Sequence, residues 1–208
     1  MTTSWQTEQE AFWNGDFGDE YVDRNQGAEL MASRTHLFSN ALKSAGEVGS
    51  AVEFGPNIGT NLMALRLLLP KIDLTAIEIN EKAVEVLRKR GGATIHHGSI
   101  LEPHLSEPVD LSFTVGVLIH INPASLSKVY DNLYAASKRL ILFAEYYNPA
   151  PVSIPYRGHD DRLFKRDFAG DMLERFEDLK LVDYGFQYRR DPKFPADDIS
   201  WFLMEKRA

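Results

Sequence analysis

The chain contains no cysteine. Disulfides, thiolate nucleophiles and cysteine-ligated zinc or iron–sulfur centres are therefore excluded, and the composition suits a reducing compartment. Long apolar runs are lacking too. The longest, near Leu62 to Pro70, is interrupted by Arg66 and falls far short of the roughly 20 residues that span a bilayer. Residues 1–10 are polar and hold no apolar core of a secretory signal. An excess of positive charge is also missing: 23 Lys and Arg stand against 30 Asp and Glu, a net charge of −7. Proteins that grip nucleic acid carry a basic footprint, so that class is set aside, while a local basic pocket for a small anion stays open. No His, Asp and Glu grouping has metal-ligand spacing, since His96 and His97 are neighbours on a strand and point to opposite faces. No Ser, His and Asp set sits on a nucleophile elbow. The expectation is a soluble cytoplasmic protein with no metal, no membrane and no nucleic-acid partner.

What is present is an ordinary globular mix, 44% hydrophobic and 25% charged over 208 residues, the size of one domain. The opening segment is rich in aromatics (Trp5, Phe12, Trp13, Phe17, Tyr21) and contains Gly15 and Gly18. The two glycines break it, which predicts a helix over about 6–13, then a loop or second turn. Within 27–45, Leu30, Met31, Leu37, Phe38, Ala41 and Leu42 share one helical face. From Ser50 strands and helices alternate: strands over 51–54, 74–79, 93–96, 110–115 and 139–144, with helices over 59–69, 81–90 and 123–137. A polar loop over 145–163 precedes a helix over 167–176 and strands over 179–186 and 199–205. The alternation predicts an α/β fold, a mostly parallel sheet with helices on both faces. The last two strands have no helix between them and are expected to form an antiparallel pair at one edge.

In such sheets ligands bind outside the carboxyl ends of the strands. The turn after the first strand reads Glu53-Phe54-Gly55-Pro56-Asn57-Ile58-Gly59-Thr60-Asn61. Gly55 permits a tight turn and close approach of a ligand, Gly59 lets the next helix pack near the strand, and Asn57 tolerates left-handed dihedrals. The carboxylate of Glu53 suits a cationic ligand, an ammonium or sulfonium, and would repel a pyrophosphate. Together with the missing Gly-x-Gly-x-x-Gly order, this disfavours a nicotinamide-dependent oxidoreductase. A second acid, Glu78, ends the second strand 78 − 53 = 25 residues on, where a carboxylate holds ribose hydroxyls.

The run Glu53-x-Gly55-x-Asn57-x-Gly59, then Glu78, Gly98-Ser99-Ile100 and Gly116-Val117-Leu118-Ile119-His120-Ile121, resembles the successive motifs of class I S-adenosylmethionine-dependent methyltransferases. The resemblance implies their Rossmann-like sheet and S-adenosyl-L-methionine as cofactor. It places Glu53, Gly55, Asn57, Gly59 and Asn61 by the methionine part, with Gly116 and Val117 nearby. Glu78 would bind the ribose, Ser99 the adenine amino group, and Ile79 and Ile100 the faces of its ring. Ser99 stands where the family usually has an acid; a serine oxygen accepts the same hydrogen bond. Residues 1–46 would form a helical, aromatic cap over the cofactor cleft of a core spanning 47–208. Tyr21 and Arg24 are its polar members, Arg24 being suited to the methionine carboxylate.

A narrower resemblance covers nearly the whole chain. Phe12-Trp13-x-Gly15-x-Phe17-Gly18-x-x-Tyr21-x-x-Arg24-Asn25, the 116–123 stretch and the loop from Glu145-Tyr146-Tyr147-Asn148-Pro149 to Asp167-Phe168 are similar to the pseudaminic acid biosynthesis-associated methylases. This implies an amino sugar or sugar nucleotide of nonulosonic acid synthesis as acceptor. His120 follows the fourth strand, where the methyl should lie, and suits a base; Tyr146 and Tyr147 join it as catalytic candidates. The acceptor loop, 145–166, supplies Glu145, Tyr156, Arg157, His159 and Lys165 as substrate-binding candidates, with Arg162 and Arg166 beside them. Cations clustered on an acidic chain point to an anionic small molecule. Two alternatives use the same cofactor: a non-catalytic binding module, and transfer of a group other than methyl. Oligomeric state is not encoded in these features.

Overall fold

The computed structural model describes residues 5–24 and 27–207. Asn25 of the aromatic motif lies outside them, as do residues 1–4 and 208 of the proposed cap and core. In chain order the elements are α1 (Glu8–Asn14), α2 (Asp16–Arg24), α3 (Ala28–Leu42), β1 (Ser50–Phe54), α4 (Thr60–Leu68), β2 (Asp73–Glu78), α5 (Glu81–Arg90), β3 (Thr94–His97), β4 (Val109–Val115), α6 (Leu126–Ala136) and β5 (Ser137–Glu145). There follow the short β6 (Val152–Ser153) and β7 (Phe164–Lys165), then α7 (Phe168–Arg175), β8 (Leu179–Gln187) and β9 (Ile199–Lys206).

Seven strands form one sheet in the order β3-β2-β1-β4-β5-β9-β8. β1 to β5 are parallel neighbours, and β9 runs antiparallel to both β5 and β8. The closing pair thus ends the sheet on one side, with the reversed strand β9 one place in from the edge. Side-chain alternation divides the core in two. On β5, Leu140, Leu142 and Ala144 face Leu37, Phe38, Leu62 and Leu65 of α3 and α4. Ile141 and Phe143 face Val129 and Leu133 of α6 and Met172 of α7 on the other side. Strand order reverses between β1 and β4, so their carboxyl ends open the crevice where ligands bind in open α/β sheets. No helix among the described residues is long and apolar enough to cross a membrane.

Two local expectations change. The segment after α1 is a nine-residue helix, α2, and Gly18 lies inside it instead of breaking it. A Cβ on Gly18 would come within 1.8 Å of the Trp13 carbonyl oxygen, so the glycine is what lets the two helices pack. The polar loop after β5 also contains structure: β6 and β7 pair as a small antiparallel hairpin.

Candidate active site

Two turns meet at the floor of the cleft. After β1, Gly55 takes φ +75°, and a Cβ there would sit 2.8 Å from a Val117 methyl of the turn after β4. Asn57 takes φ +50°, the left-handed region where Asn is tolerated; its side-chain oxygen accepts from the Ile58 amide at 2.7 Å. The Asn57 amide donates to Glu78 at 2.7 Å, and the other Glu78 oxygen accepts from the Asn80 amide at 2.8 Å. Glu78 therefore ties the glycine turn to the end of β2 while lining the cleft. Burial pushes its carboxyl above the ordinary range. Gly59 (φ +81°) serves a different neighbour from the one expected: its missing Cβ makes room for Leu87 of α5, not for the strand, and it does not line the cleft.

Beside this turn, three buried polar groups lack full partners. Asn61 donates to Glu53 at 2.5 Å, which leaves the Asn61 side-chain oxygen and the second Glu53 oxygen without hydrogen bonds among the described residues. Burial pushes the Glu53 carboxyl up to about 8, and the nearby Arg34 guanidinium lowers it only in part. Glu53 itself lies behind the lining, with Asn61 in front of it. Arg34 reaches the cleft from α3, and its Nη1 is buried with no partner among the described residues. Sequence reasoning missed Arg34. The available signal was a cation within the apolar stripe Leu30, Leu37 and Ala41, at helical spacing. Arg24, expected in that place, does not line the cleft: it bonds the Glu20 carbonyl oxygen at 3.3 Å and lies 5.4 Å from the Phe17 ring.

Ile79, Ser99, Ile100 and Leu101 line the other end. The Ser99 hydroxyl donates to Glu10 of α1, which also lines the cleft. The cap helices are fastened along this rim. Asn80 caps α5 by accepting from the Ala83 amide at 2.9 Å, and its NH2 group reaches the Trp13 carbonyl oxygen at 3.2 Å and Asp19 at 2.8 Å. Lys82 adds the Asp19 carbonyl oxygen at 3.1 Å and an ion pair with Asp23 at 2.9 Å.

Between these ends His120 enters from the turn after β4. Its Nδ1 lies 2.6 Å from the Arg162 carbonyl oxygen. A carbonyl only accepts, so Nδ1 carries the proton and Nε2 keeps its lone pair. Burial pushes the imidazole pKa down to about 4, so the ring is neutral at physiological pH. Its ring packs 4.6 Å from Trp13 and 5.1 Å from Tyr156, and Tyr21 lies 5.2 Å from Trp13. Tyr21, Tyr146 and Tyr156 feel one another electrostatically, and burial raises the last two, so their hydroxyls remain donors.

The remaining acceptor candidates scatter. Glu145 is buried under the β4 turn and does not line the cleft: it accepts from the Val117 and Leu118 amides at 3.0 and 3.1 Å. Its carboxyl is pushed up to about 7 by burial. Tyr147 is exposed and lies 6.0 Å from the ring of Phe202 on β9. Arg157 and His159 are exposed, Arg157 over the Tyr156 ring and His159 at 5.1 Å from Phe12. The Lys165 ammonium lies 5.0 Å over the Tyr146 ring. Arg162 and Arg166 pair with Asp161 at 2.5 Å and with Asp171 at 3.2 Å. The cleft has a cavity volume of about 150 Å³ and opens to solvent. No cluster of metal-ligating side chains occurs among the described residues.

No family model and no curated protein matches the sequence. Solved structures do. The 1,6-didemethyltoxoflavin-N1-methyltransferase of Burkholderia thailandensis, crystallised with 1,6-didemethyltoxoflavin and S-adenosylhomocysteine, is 14% identical. The match covers 100% of this chain and 93% of that one, with TM-score 0.73. The N-methyltransferase NodS of Bradyrhizobium japonicum, in complex with S-adenosylhomocysteine, is 16% identical over 91% of this chain and 98% of its own, with TM-score 0.67. The magnesium protoporphyrin IX methyltransferase of Synechocystis, with bound S-adenosylmethionine, is 12% identical over 99% and 100%, with TM-score 0.64. The fold is that of S-adenosylmethionine-dependent methyltransferases.

Proposed function

We propose that the protein binds S-adenosyl-L-methionine and transfers its methyl group to a small-molecule acceptor. One observation carries the reading: the unpartnered Arg34 nitrogen, Asn61 oxygen and Glu53 oxygen stand together beside the glycine turn. Buried polar groups are normally satisfied, and this set matches the carboxylate and ammonium of an amino acid. Arg34 would take the carboxylate and the Asn61 oxygen the ammonium, with Glu53 behind it supplying negative potential. Gly55 and Gly116 leave the floor open, Tyr21 would close over it, and Glu78 keeps acceptor capacity for ribose hydroxyls. Ile79, Ile100 and Ser99 line the remaining slot. Similar folds crystallised with this cofactor or its demethylated product support the same choice.

When bound, S-adenosylmethionine supplies a methyl group already activated on a sulfonium. The chain's task is then to orient the acceptor and exclude water. Trp13, Tyr156 and the cap helices would exclude it, residues 1–46 acting as the cap on the 47–208 core. The Nε2 lone pair of His120 would accept the proton of an acceptor amine or hydroxyl. We assign the acceptor to small anionic molecules because Arg157 and Lys165 have no ion-pair partner among the described residues, unlike Arg162 and Arg166. An amino sugar or sugar nucleotide of nonulosonic acid synthesis, handled in the cytoplasm, fits that charge and the narrower resemblance.

Isothermal titration with S-adenosylhomocysteine tests the first step. Saturable binding with a thermal shift is expected, and neither signal in a folded sample sinks the proposal. Release of S-adenosylhomocysteine from S-adenosylmethionine is then followed across amino sugars and sugar nucleotides. Acceptor-dependent release is expected, with Arg157→Ala and Lys165→Ala raising the acceptor's half-saturation about ten- to a hundredfold at unchanged cofactor affinity. Tight binding with no transfer to any acceptor would instead favour a non-catalytic module.

A further inference from the structure

The far end of the cleft holds a carboxylate that no strand-end motif supplies. Glu10 belongs to α1, lies 89 positions from Ser99 in the chain, and is buried. Its Oε2 closes the capping box of α1, accepting from the Gln6 amide at 2.6 Å and the Thr7 amide at 2.9 Å. Among the described residues its Oε1 has one partner, the Ser99 hydroxyl. A carboxylate oxygen accepts at two positions, so Oε1 retains one, in a buried setting where an unused acceptor is costly. Capping requires Oε2 alone. The second oxygen is held in place by Ser99, whose own oxygen also accepts from the Leu101 amide at 3.0 Å. The hydroxyl proton that Ser99 could have offered a ligand is thus committed to Glu10. Ile79, Ile100 and Leu101 line the same slot with apolar surface.

We propose that Glu10, positioned by Ser99, accepts a hydrogen bond from the 6-amino group of the cofactor's purine and selects adenine. The inference rests on the S-adenosylmethionine reading above. An apolar slot with an acceptor-only edge suits a flat heterocycle bearing an exocyclic N–H donor. Ser99, expected to meet that amino group itself, becomes the residue that aims the carboxylate. The acid is delivered by the cap, so the adenine end is complete only when α1 is docked.

The test compares S-adenosylhomocysteine with its analogue bearing hydrogen at purine position 6. Both are titrated calorimetrically into the full-length wild type, Glu10→Gln and Ser99→Ala, with circular dichroism and thermal melts as folding controls. Wild type should prefer the amino ligand about ten- to a hundredfold, the scale of a hydrogen bond to a charged group. In Glu10→Gln the amide oxygen can still cap α1, but the charge is gone, and the preference should fall below about tenfold. Ser99→Ala keeps the charge and loses its aim, so its preference should fall as well. Equal affinities in wild type, or an unchanged preference in Glu10→Gln, overturn the role of Glu10. An unchanged preference in Ser99→Ala overturns the positioning role of Ser99. Binding of neither ligand by wild type would instead overturn the cofactor reading on which the inference stands.

Discussion

Arg34 occupies a place on α3 where Leu30, Leu37 and Ala41 lead one to expect another apolar side chain. A cation is tolerated there because the cleft lies in front of it, and its buried Nη1 has no partner among the described residues. Arg34→Met keeps the bulk and removes the charge. Affinity for S-adenosylhomocysteine should fall about ten- to a hundredfold, with the melting temperature of the ligand-free protein unchanged or raised. Calorimetry and thermal melts check both. His120 makes a different prediction. Its conjugate acid titrates at about 4 instead of the ordinary 6.5, so the lone pair persists through neutral and mildly acidic pH. Turnover at saturating ligands should stay flat through pH 6.5 and fall only as pH approaches 4. His120→Gln should slow turnover about 10²- to 10⁴-fold, the usual scale of general acid–base catalysis, with cofactor affinity nearly unchanged.

Elements were legible in the sequence wherever periodicity and turn chemistry agreed. The continuous apolar run from Leu140 to Ala144 and the turn from Glu53 to Asn61 mark strands, a parallel sheet and the position of the cleft. The second cap helix was not legible, because Gly18 reads as a breaker when nothing in the sequence says that the Trp13 carbonyl will lie against it. β6 and β7, two residues each, are too short to show alternation. In the site, local spacing named strand-end residues that line the cleft, among them Gly55, Asn57, Glu78 and Ile79. Arg34 and Glu10 come from helices whose docking depends on contacts remote in sequence, while Arg24, chosen for its charge, and Tyr147, chosen beside Tyr146, do not line the cleft. Docking of the cap gives an element-scale prediction. In Gly18→Ala the new methyl would collide with backbone, a cost of about 1–3 kcal/mol for overpacking. Displacing the cap should weaken S-adenosylhomocysteine binding by roughly five- to a hundredfold on that scale, while far-ultraviolet circular dichroism of the sheet and helices is retained. Undiminished affinity would mean that the cap does not contribute to cofactor binding.

At the scale of the molecule, three buried carboxyls set a pH dependence. Glu53 and Glu145 are raised from 4.5 to about 8 and about 7, and Glu78 is raised as well, all chiefly by burial. The folded chain holds protons that the unfolded chain releases, so stability falls as pH rises from about 4.5 to 8. His120 acts in the opposite direction: below 6.5 the unfolded chain gains a proton that the folded one refuses until about 4, and stability falls as pH drops through that window. Above 6.5 these carboxyls act without opposition from His120. The ligand-free protein should therefore melt at a lower temperature at pH 8 than at pH 6.5, and Glu53→Gln should reduce that difference. A melting temperature that rises over the same interval would show these carboxyls to be ionised in the folded state. A cationic amino group bound beside Glu53 favours its ionised form, so S-adenosylhomocysteine should stabilise the protein more at pH 8 than at pH 6.5.

The bond between Ser99 and Glu10 has a consequence for descent. Two positions 89 residues apart serve one hydrogen-bonding requirement, so neither is free to vary alone. An aspartate arising at 99 would set two carboxylates face to face, and selection would then favour a neutral residue at 10. A small apolar residue at 99 would leave the glutamate without its guide. Across a lineage, acid at 99 with a neutral residue at 10, and hydroxyl at 99 with acid at 10, should appear as alternating pairs. The crossed combinations should be rare.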